Sequence, residues 1–103
     1  MTEMVTSLDP APSDLPHAFI LTQNYPNPFN PSTTIKFELP KSSEVRLSIY
    51  DLLGREMRTL VSEKKDAGIH VVRFDGSGLA SGMYLYRLRA GDYIATKRLL
   101  LLK

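Results

Sequence analysis

The sequence predicts an all-β fold, an antiparallel immunoglobulin-like β-sandwich of about seven short strands. Apolar and polar residues alternate in one segment after another, as they do in half-buried strands. Clusters of Gly, Pro, Asp and Ser separate these segments at short intervals, and no stretch has the 3.6-residue period of a helix. A chain of 103 residues is long enough for one domain with one thin hydrophobic core.

The first 17 residues are expected to form a flexible linker or tail, and residues 18–103 the folded domain. The tail contains three of the seven prolines together with Ser, Thr and Asp, and it has no periodicity. It lacks the basic start and continuous apolar stretch of a secretory signal. No run approaches the ~20 apolar residues of a membrane helix, so no membrane insertion is expected.

A short first strand is expected at residues 19–22, followed by a proline block at residues 24–31, which reads Asn-Tyr-Pro-Asn-Pro-Phe-Asn-Pro. Its prolines remove three backbone donors and restrict three φ angles, so no helix or central strand can pass through it. We expect a structural clamp in which the missing donors end pairing at a sheet edge and the aromatic residues cover one end of the core. The clamp residues are Tyr25, Pro26, Pro28, Phe29 and Pro31.

Two clearly alternating strands follow the block, at residues 33–39 and 44–51, with a turn at 40–43 between them. Alternation directs one set of side chains to the core: Ile35, Phe37, Leu39, Val45, Leu47 and Ile49. The set expected to point to solvent includes Arg46, Ser48 and Tyr50.

The next segments are a tight turn at residues 51–54, in which Gly54 can supply a positive φ, and a strand at 55–62. Met57 and Leu60 are three positions apart, which breaks the two-residue period and predicts a bulge or bend in that strand. A charged loop is expected at residues 63–68.

Three further strands are expected at residues 69–75, 83–90 and 93–102, joined by a glycine-rich loop at 76–82 and a two-residue turn at Gly91-Asp92. The core-facing sets are His70, Val72 and Phe74 in the first strand and Tyr84, Tyr86 and Leu88 in the second.

Sequence motifs for catalysis or metal binding are missing from the chain. It has no Cys, hence no thiolate nucleophile and no disulfide. His70 lies on an apolar strand face, which is typical of a partly buried structural histidine. The glycine loop lacks the Gly-Lys-Ser/Thr of a phosphate-binding loop, and no Asp-rich calcium loop occurs. We therefore expect neither an enzyme nor a metal or cofactor site, and the net charge of +2 is too small to imply a nucleic-acid partner.

The last strand carries more apolar residues than one buried face requires. Leu99 to Leu102 are apolar on both faces, whereas a half-buried strand needs apolar residues at alternate positions only. Either both faces are covered, or an exposed strip beside Lys97, Arg98 and Lys103 lies on a sheet edge, where another chain can add a strand. Residues 79–103 contain five basic residues and one acidic residue, which form either solvated strand faces or a docking surface for an acidic partner.

From Phe19 to Lys103 the chain resembles the C-terminal sorting domain of proteins exported by the type IX (Por) secretion system. The resemblance is carried by five blocks that occur in the order typical of that family, at residues 24–35, 45–55, 67–70, 79–88 and 97–103. The second and fourth blocks are also similar to the immunoglobulin-like domain of the flagellar hook-capping protein.

The resemblance implies a non-catalytic C-terminal secretion signal at the end of a larger cargo protein. The implied partners are the outer-membrane translocon, its shuttle proteins and a sortase-like cysteine protease that cuts ahead of Phe19, after which the cargo is attached to anionic lipopolysaccharide. The implied location is the periplasm in transit, then the outer membrane, the cell surface or the medium. Carried over to this chain, recognition rests on Gly82, Tyr84, Lys97, Arg98, Leu99, Leu100, Leu101, Leu102 and Lys103.

Two other functions stay open at this point. One is a structural or adhesive immunoglobulin-like module of the hook-cap type. The other is a carbohydrate-binding module, which a row of exposed aromatic side chains on one face would favour.

Overall fold

Two antiparallel sheets build the part of the chain that the computed structural model describes, residues 15–103. The strands are β1 (Ile20–Leu21), β2 (Ser32–Leu39), β3 (Ser43–Tyr50), β4 (Glu56–Lys65), β5 (Gly68–Asp75), β6 (Gly82–Ala90) and β7 (Tyr93–Leu101). One sheet has the strand order β1-β2-β5 and the other β4-β3-β6-β7. The all-β prediction is confirmed: within residues 15–103 there are seven strands and no helix, so none that could cross a membrane.

The core lies between the two sheets and is made of side chains from alternate strand positions. All the predicted core-facing residues of β2 and β3 are buried, and so are the residues of the later strands that pack against them. The later group consists of Val61, Phe74, Tyr84, Tyr86, Leu88, Ala90, Leu99 and Leu101. Tyr84 and Tyr86 are therefore core residues, and alternation was sufficient to place them there.

Two bulges interrupt the pairing of β3 with β4, as the broken period predicted. Leu47 pairs with Val61 and Ser48 with Thr59, which leaves Leu60 as an extra residue. Ile49 pairs with Arg58 and Tyr50 with Glu56, which leaves Met57 extra. The two apolar residues that broke the alternation are thus the two bulged residues, and both pack against the core from half-buried positions.

The prediction of a charged loop at residues 63–68 is wrong for most of its length. β4 continues to Lys65 and stays paired with β3 as far as Ser43. Because β4 is an edge strand, its charged side chains can remain in solvent while its backbone is hydrogen-bonded. An ion pair of 2.8 Å joins Lys65 Nζ to Glu63 Oε2.

Ser48 also differs from its prediction, since it is buried rather than exposed. Its hydroxyl donates to Glu56 Oε2 at 3.2 Å, so the Glu56 side chain from β4 covers it. Alternation predicted the face correctly but not the neighbour that lies over it.

Residues 1–14 of the predicted tail lie outside the described residues, and the division into a tail at 1–17 and a domain at 18–103 stays a prediction. Within the described part, Leu15 and His17 are exposed and lie before the first strand. Phe19 packs against the core, and its ring stacks on that of Tyr93 with centroids 5.1 Å apart.

Candidate functional site

The predicted clamp and the predicted recognition strand meet at one place in the structure. β7 is the edge strand of the four-stranded sheet, and residues 23–29, the edge-covering segment, run along its outer edge. Phe29 N donates to Leu100 O at 3.0 Å, and Leu102 N donates to Phe29 O at 3.0 Å. The proline block thereby joins the sheet that it was expected to terminate.

Two side chains extend this pairing along β7. Asn27 Oδ1 accepts a hydrogen bond from Leu100 N at 3.0 Å, and Gln23 Nε2 donates to Arg98 O at 2.7 Å. The edge groups of Arg98, Leu100 and Leu102 that these bonds use are no longer available to another chain. Strand addition to this part of the edge, which the sequence left open, is therefore wrong for the folded domain, because an edge invites pairing only where its groups are free.

Phe29 anchors the edge-covering segment in the core. Its side chain is only 2% exposed, and its ring lies 5.9 Å from that of Phe74, centroid to centroid. Gly76 permits this packing, since a Cβ at that position would lie 3.2 Å from Leu101 Cδ2 and 3.3 Å from Phe29 Cε2. A side chain at residue 76 would press directly on this contact.

A buried polar network forms the second anchor. Asn24 N donates to the Tyr86 hydroxyl at 2.8 Å, and that hydroxyl donates to Thr22 O at 2.6 Å. Asn24 Nδ2 donates to Thr33 Oγ1 at 3.0 Å, and Thr33 Oγ1 donates to Pro26 O at 2.8 Å. Burial raises the pKa of Tyr86 to about 12, so the phenol stays neutral and keeps its donor. Sequence reasoning missed this network, although a buried Tyr usually has a partner for its hydroxyl.

The expected role of Tyr25 in covering the core is wrong. Its side chain is 80% exposed, while its backbone exchanges two hydrogen bonds of 3.0 Å with Thr34. Neighbouring residues of an extended segment point to opposite faces, and Asn24 takes the inward position. The rings of Pro26, Pro28 and Pro31 are exposed as well, so the contacts of the clamp come from Asn24, Asn27 and Phe29.

The predicted recognition residues divide into a buried and an accessible set. Leu99 and Leu101 are fully buried and Tyr84 is 7% exposed. Leu101 lies opposite Gly82, and Leu99 opposite Tyr84, so this set forms one packed ladder in the core. A partner cannot contact these side chains without opening the sandwich.

The accessible set lies on the outer face of the same two strands. Leu100 is half-buried opposite Met83, and Leu102, just beyond β7, is 49% exposed. Together with Leu85 these residues form a partly exposed apolar surface, which we call the outer patch: Met83, Leu85, Leu100 and Leu102. Arg98 is exposed beside the patch, opposite Leu85. The two surplus leucines of the sequence are therefore Leu100 and Leu102.

The two remaining charged residues of the terminal block are Lys97 and Lys103. Lys103 is exposed, but its Nζ donates to Ser77 O at 2.7 Å and its backbone N to Ser81 Oγ at 3.0 Å. These bonds hold the last residue against the loop that precedes β6. Lys97 is half-buried opposite Tyr86, on the core side of the strand.

His70 has the surroundings of a structural histidine. His70 is half-buried, its ring stacks on Phe37 at 5.2 Å between centroids, and its Nε2 lies 2.8 Å from Asp66 O. Across residues 15–103, no three His, Asp or Glu side chains are placed to hold a metal ion together.

Comparison with known proteins gives one family and one solved structure. A family model described as "Secretion system C-terminal sorting domain" matches residues 23–102. No curated protein matches the chain.

The solved structure is that of PorZ, described as an essential bacterial surface component of the type IX secretion system of Porphyromonas gingivalis. It matches 82% of this chain with a TM-score of 0.51 and 20% identity. The match covers only 11% of the PorZ chain, so the likeness concerns the fold of one part of that larger protein.

Proposed function

The chain belongs to the family of type IX secretion system C-terminal sorting domains, and we propose that it exports a cargo protein by presenting the outer face of its last strand to the translocation machinery. One observation carries the proposal: the family match covers residues 23–102, which include the edge-covering segment, β7 and the outer patch. Sorting needs a surface that can be recognised and no reaction, so the domain acts as a signal and not as a catalyst.

The site divides this task between its two sets of residues. Leu99, Leu101 and Tyr84 hold β7 in the core and keep the strand in one position. Arg98 and the outer patch are then the groups that a receptor can contact. An apolar centre with a charged rim is the usual composition of a protein interface.

The accessible stretch before Phe19 is the place at which a protease can release the cargo. Leu15 is 45% exposed, and a cleavable segment must be exposed and free of stable pairing. We assign the cut to the tail ahead of Phe19 by a sortase-like cysteine protease, with anionic lipopolysaccharide as the acceptor of the cargo. The cargo lies on the N-terminal side of the domain, passes the periplasm with shuttle proteins, and ends at the cell surface or in the medium.

Neither alternative function has an observation that favours it over sorting. A carbohydrate-binding face would present a row of aromatic rings, whereas Tyr25 is the one aromatic side chain in residues 15–103 that is largely exposed. A structural module of the hook-cap type shares the sandwich architecture, and the secretion assay below separates it from a signal.

The experiment is a secretion assay on a reporter that carries an ordinary signal peptide and ends in residues 1–103. Leu100→Ser combined with Leu102→Ser replaces the two leucines of the outer patch while leaving the buried leucines in place. We expect the reporter to accumulate inside the cell envelope. The amount that reaches the medium should fall by about tenfold or more if the free energy of receptor binding weakens by about 1.4 kcal/mol.

The matched control is Ile69→Ser with Val71→Ser on the other sheet, where both side chains are more than half exposed, at 56% and 64%. It removes the same number of aliphatic side chains from the outer face of a sheet and should export normally. Circular dichroism of each purified domain checks that both variants are folded. Normal export of the patch variant, or an equal defect in the control, contradicts the proposal.

A further inference from the structure

A small basic pocket lies on the outer face of the four-stranded sheet, and the sorting proposal does not use it. Arg46 and Tyr50 from β3 and Arg87 and Arg89 from β6 line this pocket, which has a volume of about 110 Å³. The two strands are neighbours, and their register places Arg46 directly opposite Arg89 and Ser48 opposite Arg87. Four side chains from two rigid strands therefore converge on one point.

The arrangement of charge in the pocket is unfavourable for the domain alone. Like charges directly opposite each other on neighbouring strands destabilise a sheet, and Arg46 and Arg89 form such a pair. Arg46 has a partner, since its Nη2 lies 2.8 Å from Glu56 Oε2. Among residues 15–103, no carboxylate lies within 4.0 Å of the Arg87 or Arg89 guanidinium.

The pocket therefore holds three guanidinium groups and one nearby carboxylate, a net charge of +2. Two other carboxylates, Glu44 and Glu63, line an adjoining depression that shares Arg46 and Arg89 with this pocket. Glu63 is paired with Lys65. A local excess of two positive charges matches a dianion better than a monoanion.

The guanidinium of Arg87 is also held in place before any ligand arrives. It lies over the ring of Tyr50, with 4.9 Å between its central carbon and the ring centroid, a cation–π arrangement. Preorganised donors lose less conformational freedom when a ligand binds. The Tyr50 ring thus keeps one arginine fork on the rim of the pocket.

We propose that the pocket formed by Arg46, Tyr50, Arg87 and Arg89 binds the phosphate group of a phosphate monoester. Arginine presents donors in a planar fork that matches the oxygen atoms of phosphate two at a time. A phosphate monoester carries a charge of about −1.5 to −2 at neutral pH, which balances the excess in the pocket. The pocket volume of 110 Å³ is several times the ~30 Å³ that one water molecule occupies in the liquid, which leaves room for a group larger than water.

The three arginines of the pocket are confined to one part of the outer face of the four-stranded sheet. Toward the outer patch, Tyr50 of the pocket lies opposite Leu85 of β6, and Met83 lies opposite Leu100, while Arg98 of β7 lies opposite Leu85 on its other side. The phosphate pocket and the outer patch are thus adjacent but chemically distinct surfaces. Phosphate binding at the pocket can be measured without a secretion assay. If no binding is found, the sorting proposal is unaffected.

The experiment is an NMR titration of the full 103-residue chain labelled with ¹⁵N. Inorganic phosphate, glucose 1-phosphate and acetate are added separately at neutral pH and constant ionic strength, and the Arg Nε–Hε signals are followed. We expect saturable shifts of the Arg87 and Arg89 signals with both phosphate probes, and binding of acetate weaker by about tenfold or more, equivalent to ~1.4 kcal/mol.

Two variants and one matched control complete the test. Arg89→Gln should weaken the binding of glucose 1-phosphate by about tenfold, and Arg87→Lys should weaken it too, because lysine keeps the charge but loses the fork. Arg73→Gln removes one exposed arginine from the other sheet and should leave binding unchanged. The melting temperature of Arg89→Gln should be no lower than that of the parent chain, because the variant removes one of two like charges that lie opposite each other.

Three results overturn the proposal. If acetate binds as tightly as the phosphate probes, or if Arg73→Gln weakens binding as much as Arg89→Gln, the effect is one of general charge. Binding of inorganic phosphate without glucose 1-phosphate refutes the assignment to a monoester and makes the pocket a site for free phosphate.

Discussion

Replacement of Phe29 by Ala tests whether the edge-covering segment is held by its aromatic anchor. Phe29 is 2% exposed and packs on Phe74 and Leu101, with Gly76 leaving room for the contact. Truncation of a buried Phe to Ala costs about 3–5 kcal/mol, through lost burial and the cavity that remains. We expect a loss of about 3 kcal/mol, the lower end of that range, because Phe29 lies at one end of the sandwich, where neighbouring side chains can relax into the space.

The assay is denaturation of the purified chain by urea at 25 °C, followed by circular dichroism. A loss of 3 kcal/mol also lowers the melting temperature of a domain of this size by roughly 12–24 °C. The matched control is Tyr25→Ala, which removes an aromatic side chain of similar size from the same block. Because Tyr25 is 80% exposed, its removal should change the stability by no more than about 0.5 kcal/mol.

Amide hydrogen exchange then locates the effect. The Leu102 N–H is bound to Phe29 O, and the Leu100 N–H to Asn27 Oδ1, so both should exchange faster in Phe29→Ala than in the parent chain. A change of less than ~1 kcal/mol in Phe29→Ala, well below the usual cost, refutes the anchor. So does an equal loss in Tyr25→Ala, or unchanged protection of the Leu100 and Leu102 amides.

Two further predictions concern polar groups. Tyr86→Phe removes the hydroxyl that accepts a hydrogen bond from Asn24 N and donates one to Thr22 O. The free energy of unfolding, measured by urea denaturation, should fall by about 1–3 kcal/mol for each buried group left without a partner. A stability equal to that of the parent chain would contradict the network. Hydrogen bonds from the backbone and side chain of Arg55 and from Leu53 N hold the pKa of the Asp51 carboxyl below its usual value. A lowered folded-state pKa stabilises the fold above the unfolded pKa of about 3.9, and this contribution is lost as the pH falls through the folded value. Urea midpoints measured from about pH 6 down to pH 2 should therefore fall less steeply for Asp51→Asn than for the parent chain near the unfolded pKa, and identical curves would exclude this role of Asp51.

Much of the fold could be read from local patterns because the underlying rules are local. Alternation placed Ile35, Phe37 and Leu47 in the core, since successive side chains of a strand point to opposite faces. The alternation breaks at Met57 and Leu60, and this break predicted the bulges, because these two are the bulged residues. The turn at residues 51–54 followed from Gly54, whose φ is +88°, a conformation that glycine adopts without strain.

The site was predictable only in part. The order and identity of the sequence blocks pointed to the sorting-domain family and to the terminal block as its recognition element. Which leucines of that block face the core could not be predicted, because four consecutive leucines make both faces of the strand equally apolar. Leu99 and Leu101 face the core while Leu100 and Leu102 do not; this follows from the register of β7 with β6.

The sequence by itself therefore determined the class of fold, the positions of most strands and turns, and the family. Only the tertiary structure decided what lies against the edge of the last strand. The hydrogen bond from Leu100 N to Asn27 Oδ1 joins residues 73 positions apart, and the one from Gln23 to Arg98 spans 75. Such contacts depend on how two sheets pack, because a residue's local pattern specifies which way its side chain points but not which distant backbone it meets. The proline block is consequently a partner of the leucine strand, and its asparagines and phenylalanine, rather than its proline rings, make the contacts.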